Sequence, residues 1–230
     1  MSKPVCIIPA RMGSKRLPRK NVIMCDGKPL LWYTIQAAKD SGVFDEIIVN
    51  SDDPMAISIA KEMGVINWQR VNSLGSDTAT VVDVVLSVMA LGPFFGVLLP
   101  TCPLRTAEDI KLSYGRWLVT DCDFVMSVTE YYYHPYQALR FRDEGVIMED
   151  DYLHPRFESY VRMQSQQWED MYHHNGAIVF GHTESLRKHK SFYGGKVVPY
   201  FMSRERSVDI DTIDDLEYAE YLLKKRRGVV

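Results

Sequence analysis

Cysteine is scarce in this sequence, and long apolar runs are missing. The four cysteines stand far apart, with no CxxC pair and no Cys and His spacing typical of a zinc site. No apolar run approaches the roughly 20 residues that cross a bilayer, and the N-terminus lacks the long apolar stretch of a signal peptide. We therefore expect a cytoplasmic protein with reduced thiols, no zinc and no membrane segment.

Neither sign of charge is in large excess. Lys and Arg number 27 against 30 Asp and Glu, so the net charge is −3 and the pI is about 6.1. Such a balance does not favour attraction of the whole protein to nucleic acid or to an anionic membrane. The 46% hydrophobic and 25% charged fractions are those of a folded globular chain. At 230 residues we expect one domain, residues 1–230, with an additional segment inserted.

Apolar runs bounded by turn residues alternate with helical patterns in the first 130 residues. Continuously apolar strands that alternate with helices predict an α/β fold in three layers, a mostly parallel sheet covered on both faces. The predicted strands are 5–10, 46–51, 95–101 and 123–129, and the predicted helices are 30–42, 54–64, 79–92 and 106–119.

The alternation stops after Thr129. We call residues 130–172 the excursion: two short strands around "DEG" are predicted in it, followed by a polar, aromatic and weakly periodic stretch. It would cover a substrate or form a dimer interface. Strands at 176–181 and 196–201 and an amphipathic helix at 211–227 then complete the main sheet and its cover.

Five cations cluster in a loop directly after the first predicted strand, in "IIPARMGSKRLPRKN" (7–21). Ligands of open α/β sheets bind beyond the carboxyl ends of strands, and Gly and Ser let backbone N–H groups turn toward phosphate oxygens. The loop is neither GxGxxG nor GxxxxGK[ST]. It predicts a polyphosphate site; the alternative is a solvated basic loop, and Arg16 and Arg19 could face solvent or another subunit in either case.

Near the C-terminus, "SVDIDTIDD" (207–215) alternates apolar residues with Asp209 and Asp211. A strand here would turn both carboxylates to one face, where Mg²⁺ is the economical cation to hold between them. The alternative is that Asp211 caps the last helix, with Asp214 as an acid of its first turn.

These stretches together resemble the CMP-sugar synthetases, the acylneuraminate cytidylyltransferase family. The likeness continues through "GKPLLWYTIQAA", "FDEIIVNSDD", "SDTAT", "LLPTCPLRTAEDI", "HHNGAIVF" and "SVDIDTIDDLEYAE" in the family's order. It implies a nucleotide-diphospho-sugar transferase (glycosyltransferase-A-like) fold and a homodimer. It also implies Mg²⁺-dependent coupling of CTP to a 2-keto sugar acid, by in-line transfer with release of pyrophosphate.

The resemblance also implies roles for individual residues. Arg11, Lys20 and Asp211 would be catalytic, and Asp209 and Asp211 would bind the metal. Ala10 would contact the base through its main chain. Thr80 would contact the nucleotide, with the alternative that it only caps a helix, as Ser and Thr near helix starts usually do. The full nucleotide-binding set would be Ala10, Arg11, Lys15, Lys20, Asn21, Arg70, Asp77 and Thr80.

The sugar side departs from the family's pattern. Leu99, Gln137 and His173 stand where Gln, Lys and Arg are usual, and Arg105 could serve a ligand or only tie its loop to a helix. The residues expected to face the sugar are Thr101, Gln137, His173 and Asn175. The acceptor therefore stays open among sialic, legionaminic, pseudaminic and octulosonic acids. A nucleotidyltransferase for another sugar or nucleotide, or a noncatalytic sugar-nucleotide-binding homologue, remains the alternative.

Overall fold

The computed structural model describes residues 2–70, 79–88, 92–138 and 163–229. Apart from the two-residue strands β2 (Met24–Cys25) and β3 (Lys28–Pro29), which pair with each other, the strands of the described residues form one sheet. Its members are β1 (Val5–Pro9), β4 (Glu46–Ser51), β5 (Ile66–Gln69), β6 (Phe94–Val97), β7 (Phe124–Glu130), β8 (Tyr172–His182) and β9 (Val197–Phe201). The helices are α1 (Leu30–Ser41), α2 (Pro54–Glu62), α3 (Val81–Val88), α4 (Ala107–Val119), α5 (Thr183–His189) and α6 (Ile213–Arg226).

The sheet is mostly parallel, as the sequence predicts. Its order is β5-β4-β1-β6-β8-β7-β9. The pairs β1–β4, β1–β6, β4–β5 and β7–β9 are parallel, whereas β8 runs antiparallel to β6. The carboxyl ends of β5, β4, β1 and β6 therefore meet at one edge of the sheet, where the loop after β1 begins.

Helices cover both faces of this sheet because successive residues of a strand point to opposite sides. Along β1, Val5 and Ile7 pack in a core with the apolar sides of α3 and α5. Cys6 and Ile8 enter the core on the other side, with α1, α2 and α4. The predicted three-layer arrangement is confirmed.

The described residues form two compact units. One comprises Met1–Val128 with His174–Val230, and the other is Thr129–His173, nearly the extent of the predicted excursion. Within the second unit, Tyr136 is fully buried and donates its hydroxyl to the carboxylate of Glu169. The two short strands predicted around residues 143–145 lie outside the described residues.

Four local features differ from the prediction. Strand β5 and helix α5 have no counterpart in it. Residues 207–212 form no strand, so the strand considered there is wrong. The cap of the last helix is Thr212, which pairs with Asp215 in a capping box, one position later than the considered Asp211 and Asp214.

None of the helices among the described residues has both the length and the apolar character needed to span a membrane.

Candidate active site

The basic loop begins with a backbone fixed to the neighbouring strand. The N–H of Ala10 donates to the carbonyl of Asn50 at 2.9 Å, and the hydroxyl of Ser51 donates to the carbonyl of Ala10 at 2.5 Å. Ala10 is fully buried. Both main-chain groups of Ala10 are thus already engaged within the protein, so the structure assigns them first to holding the loop at the end of β4.

Two further bonds shape the loop from within. The side-chain amide of Asn21 donates to the carbonyl of Arg11 at 2.8 Å and closes the loop across ten residues. Arg19, in the left-handed backbone region at φ 53°, pairs with Asp53 at 2.8 Å. Asp53 also caps α2 by accepting from the N–H of Met55. These bonds hold both ends of the loop. They do not involve the side chains of Lys15, Arg16 and Lys20.

Residues 209–211, the acidic segment, are bonded to the chain just after the central strand β6. The N–H of Ile210 donates to the carbonyl of Thr101, which follows β6, at 2.9 Å. Ile210 is fully buried in an apolar cluster with Leu216 of α6. Burying Ile210 leaves its neighbours Asp209 and Asp211 on the other side, so the alternation seen in the sequence orients them although no strand forms.

Loop and acidic segment border one cavity of about 440 Å³. It lies at the carboxyl ends of β1, β5 and β6, the edge where α/β folds bind ligands. One part of its wall is cationic, two carboxylates face it, and an apolar part follows β6. Its lining residues are Pro9, Arg11, Ser14, Lys15, Arg16, Leu17, Lys20, Asn21, Arg70, Ala79, Thr80, Val81, Val84, Leu99, Pro100, Thr101, Asp209 and Asp211.

Asp211 carries an ion pair on each carboxylate oxygen. Lys20 Nζ lies 2.6 Å from Oδ1, and an Arg16 Nη atom lies 2.6 Å from Oδ2. The backbone N–H of Asp211 donates to Asp215 at 3.0 Å. Asp215 therefore fixes the backbone at Asp211, and the Asp211 carboxylate bridges two cations of the basic loop.

Asp209 opens to solvent through the cavity, yet protein surrounds it closely. Burial raises the pKa of Asp209, and a hydrogen bond from Thr101 and the charge of Lys20 oppose that rise. Cys102 lies beneath it, with Sγ 3.9 Å from Oδ1. Burial raises the pKa of the Cys102 thiol, which suits a packing role and not a nucleophilic one.

Two carboxylates beside a cationic wall fit a magnesium site. Mg²⁺ prefers oxygen ligands and takes few from protein, completing its octahedron with phosphate oxygens and water. The described residues contain no group of three or more His, Cys, Asp or Glu side chains that could hold a metal. Asp209 and Asp211 alone would therefore form a weak metal site, which a phosphate-bearing ligand would complete.

Arg70 and Thr80 line the opposite wall. Arg70 is buried, and its guanidinium donates to the Asn50 side chain at 2.7 Å and to the Asn50 carbonyl at 3.2 Å. Burial lowers the pKa of Arg70, but a guanidinium stays charged. Thr80 accepts from the N–H of Asp83 at 3.2 Å and bonds its carboxylate at 2.7 Å, so it also caps α3.

The sequence of the chain is similar to those of known cytidylyltransferases. A family model described as cytidylyltransferase matches residues 5–91. Over 230 residues the chain is 32% identical to the pseudaminic acid cytidylyltransferase of Campylobacter jejuni, covering 96% of this chain and 97% of that protein. It is 31% identical to the CMP-N,N'-diacetyllegionaminic acid synthase of Legionella pneumophila, covering 96% of each.

The chain belongs to the CMP-sugar synthetase family.

Other relatives of this CMP-sugar synthetase family member are longer. It is 36% identical over 218 residues to the N-acylneuraminate cytidylyltransferase of Streptococcus agalactiae, covering 93% of the chain but 51% of that protein. The chain thus spans about half the length of the streptococcal relatives. A solved CMP:2-keto-3-deoxy-manno-octonic acid synthetase complexed with CTP shares the fold, with a TM-score of 0.73 over 98% of this chain at 18% identity.

The residues expected to face the sugar occupy three different environments in this family member. Thr101 lines the cavity. Asn175 is buried, and its amide bonds the hydroxyls of Ser127 and Ser207 at 2.6 and 2.8 Å. Gln137 and His173 belong to the second unit. The structure therefore brings Thr101 to the cavity, whereas Asn175 braces the strands behind it.

Three further predictions from the sequence concern Asp77, Arg16 and Arg105. Asp77 lies outside the described residues. Arg16 lines the cavity, and its side chain is also largely exposed to solvent, as the sequence allowed. Arg105 is buried, and its guanidinium donates to the carbonyl of Ala177 and the hydroxyl of Thr34 at 2.7 and 2.8 Å. It thus follows the structural alternative and ties α1 to β8.

Proposed function

We propose that this protein is a cytidylyltransferase that couples CTP to a 2-keto sugar acid and releases pyrophosphate. The observation that carries the proposal is the cavity in which a cationic loop and the pair Asp209 and Asp211 meet at the carboxyl ends of the parallel strands. A triphosphate needs the first feature, and metal-assisted phosphoryl chemistry needs the second. The relatives named above carry the same activity in their names.

The step is an in-line displacement at the α-phosphorus of CTP. The anomeric oxygen of the acid bonds to the α-phosphorus and its hydroxyl proton passes to solvent, while the bond between the α-phosphorus and the α,β-bridging oxygen breaks and pyrophosphate leaves. Such a reaction requires positioning and charge neutralisation more than covalent catalysis. In this proposal Arg11, Lys15 and Lys20 hold the phosphates, and Asn21 keeps the loop closed beneath them.

Asp209 and Asp211 would hold Mg²⁺. When bound, the ion would neutralise phosphate charge and lower the pKa of the attacking hydroxyl, so no separate general base is assigned. Asp215 orients Asp211 through the backbone N–H, and Thr101 orients Asp209. Arg70 and Thr80 would border the nucleoside, with Arg70 held in place by Asn50.

The acceptor is proposed as a nonulosonate of the sialic, legionaminic or pseudaminic type. Leu99 gives the cavity an apolar wall where the family usually has Gln, next to Thr101. An apolar wall favours a sugar that presents a deoxy or acyl carbon there over one that presents a hydroxyl. Gln137 and His173 are retained as sugar-facing candidates within this proposal.

Cytoplasmic location and a homodimer complete the proposal. All four cysteines are buried and free, which suits a reducing compartment. Tyr132 and Tyr133 of the second unit are 72% and 82% exposed, and aromatic side chains are enriched at subunit interfaces. Sedimentation analysis of the wild type and of Tyr132→Ser with Tyr133→Ser would test the dimer.

Pyrophosphate release tests the proposed activity. The protein is incubated with Mg²⁺, one nucleoside triphosphate and one acid from a panel of 2-keto sugar acids. The proposal predicts release with CTP and at least one acid, and none when ATP, GTP or UTP replaces CTP. Release with another nucleotide alone would reassign the base, and silence throughout would favour a noncatalytic homologue.

A further inference from the structure

Arg16 is the cavity cation that the proposed step leaves without a task. Its guanidinium lies 2.6 Å from Oδ2 of Asp211, and Lys20 lies 2.6 Å from Oδ1 of the same carboxylate. Both oxygens of the proposed metal ligand are thus in contact with a positive charge. A divalent ion brought to Asp211 would meet two like charges at close range, which repel it.

The two cations differ in how firmly they are held. The Lys20 side chain is 16% exposed, whereas that of Arg16 is 68% exposed. An ion pair with a largely exposed arginine contributes little free energy and breaks easily. Arg16 is therefore the cation that can leave Asp211 when another positive charge arrives.

A departing Arg16 has an obvious second partner. It borders the same cavity as Lys15 and Arg11, which are the proposed triphosphate ligands. A guanidinium offers a planar fork that binds phosphate oxygens in bidentate fashion. The side chain is long and exposed, so the same backbone position serves both partners.

We propose that Arg16 is an exchangeable counter-ion: it neutralises Asp211 in the free protein and moves to the triphosphate when metal and nucleotide bind. The proposal rests on the triphosphate and metal sites of the proposed function. It implies that Arg16 weakens metal binding to the nucleotide-free protein and strengthens nucleotide binding. A residue with a purely structural role would not produce effects of opposite sign.

Two titrations by calorimetry test this exchange. Mn²⁺ is titrated into nucleotide-free protein, and CTP is titrated into protein in excess EDTA. Both are done for the wild type, Arg16→Gln, Arg16→Lys and the control Lys28→Gln. Lys28 lies over the ring of Trp32 and does not line the cavity, so its replacement removes one exposed positive charge without touching Asp211.

For Arg16→Gln we expect Mn²⁺ affinity to rise about fivefold and CTP affinity to fall about fivefold, the effect of one exposed charge pair. Arg16→Lys should recover part of both changes, and Lys28→Gln should change neither by more than about twofold. Any other combination, including two changes of the same sign, overturns the proposal. Because only binding is measured, a protein that shows the exchange but releases no pyrophosphate would defeat the proposed activity alone.

Discussion

Lys20 and Asp211 are 191 positions apart in the chain, and their Nζ and Oδ1 atoms lie 2.6 Å apart. The pair joins the loop after β1 to the segment before α6. Each residue arrives by its own local anchoring, Asp211 through the bond from Ile210 to Thr101 and Lys20 through a short 3₁₀ turn, Lys20–Val22. The charged wall of the cavity is thus a product of the tertiary fold.

Lys20→Met tests the triphosphate site. The substitution keeps the apolar stem and removes the charge, so we expect kcat/KM for CTP to fall about 100-fold because a charge on the transferring phosphates is no longer neutralised. Steady-state pyrophosphate release measures it. Lys28→Met is the control, since Lys28 lies over the ring of Trp32 outside the cavity. Equal rates for both variants would remove Lys20 from the site.

Asp209→Asn and Asp211→Asn test the metal site. Each keeps the shape of the side chain and removes a negative charge, so Mg²⁺-dependent turnover should fall at least about 100-fold. Calorimetric titration with Mn²⁺ in the presence of CTP should show the matching loss of metal affinity. Asp214→Asn, at an exposed acid in the first turn of α6, should stay near wild type. Full activity of both site variants would refute the metal assignment.

Asn175→Ala tests whether this buried amide braces the fold. The variant removes the hydrogen bonds that the buried amide makes with the hydroxyls of Ser127 and Ser207, so the free energy of unfolding should fall by about 1–3 kcal/mol. Urea unfolding measures it.

Ser127→Ala provides the companion to Asn175→Ala. Because the two residues bond each other at 2.6 Å, the double variant should lose less stability than the two single losses added together. Unchanged stability of Asn175→Ala, with a raised KM for the sugar acid, would instead make Asn175 a substrate contact.

Asp123 should make the free energy of unfolding depend on pH. Hydrogen bonds from Ser185 and the backbone N–H of Lys196 hold the pKa of Asp123 below its usual value. The ionised carboxylate therefore stabilises the fold above the unfolded pKa of about 3.9, and this stabilisation is lost as the pH falls through the lower folded pKa.

Urea unfolding at a series of pH values measures this contribution. The wild type should have a larger free energy of unfolding than Asp123→Asn at pH 7, and this difference should decrease below about pH 4. Asp121→Asn is the control, since that neighbouring side chain is fully exposed and should show a small gap at every pH. A gap for Asp123→Asn that does not narrow in acid would contradict the account.

Much of the fold could be predicted from the sequence because core strands need continuous apolar runs and helices need a 3.6-residue period. Strand β5 (Ile66–Gln69) was not predicted because it lies at the edge of the sheet and lacks a continuous apolar run. Its side chains Ile66 and Trp68 are 40% and 38% exposed. Helix α5 has seven residues, too few for a clear period.

The candidate site was predictable where a motif is local. The basic loop and the alternating aspartates are each visible within a few residues. The ion pair of Arg16 with Asp211 could not be predicted because Asp211 lies near the other end of the chain. Asn175 could not be placed because its partners, Ser127 and Ser207, come from β7 and the segment before α6.

Transfer of labelled phosphorus tests the central claim most directly. The protein is incubated with Mg²⁺, a 2-keto sugar acid that supports pyrophosphate release, and CTP labelled at the α-phosphorus, and the products are separated. The account predicts that the label leaves with the acid in a single CMP-linked product, formed in equal amount to pyrophosphate. Label found only in free CMP, or retained in CTP with every acid of the panel, would contradict it.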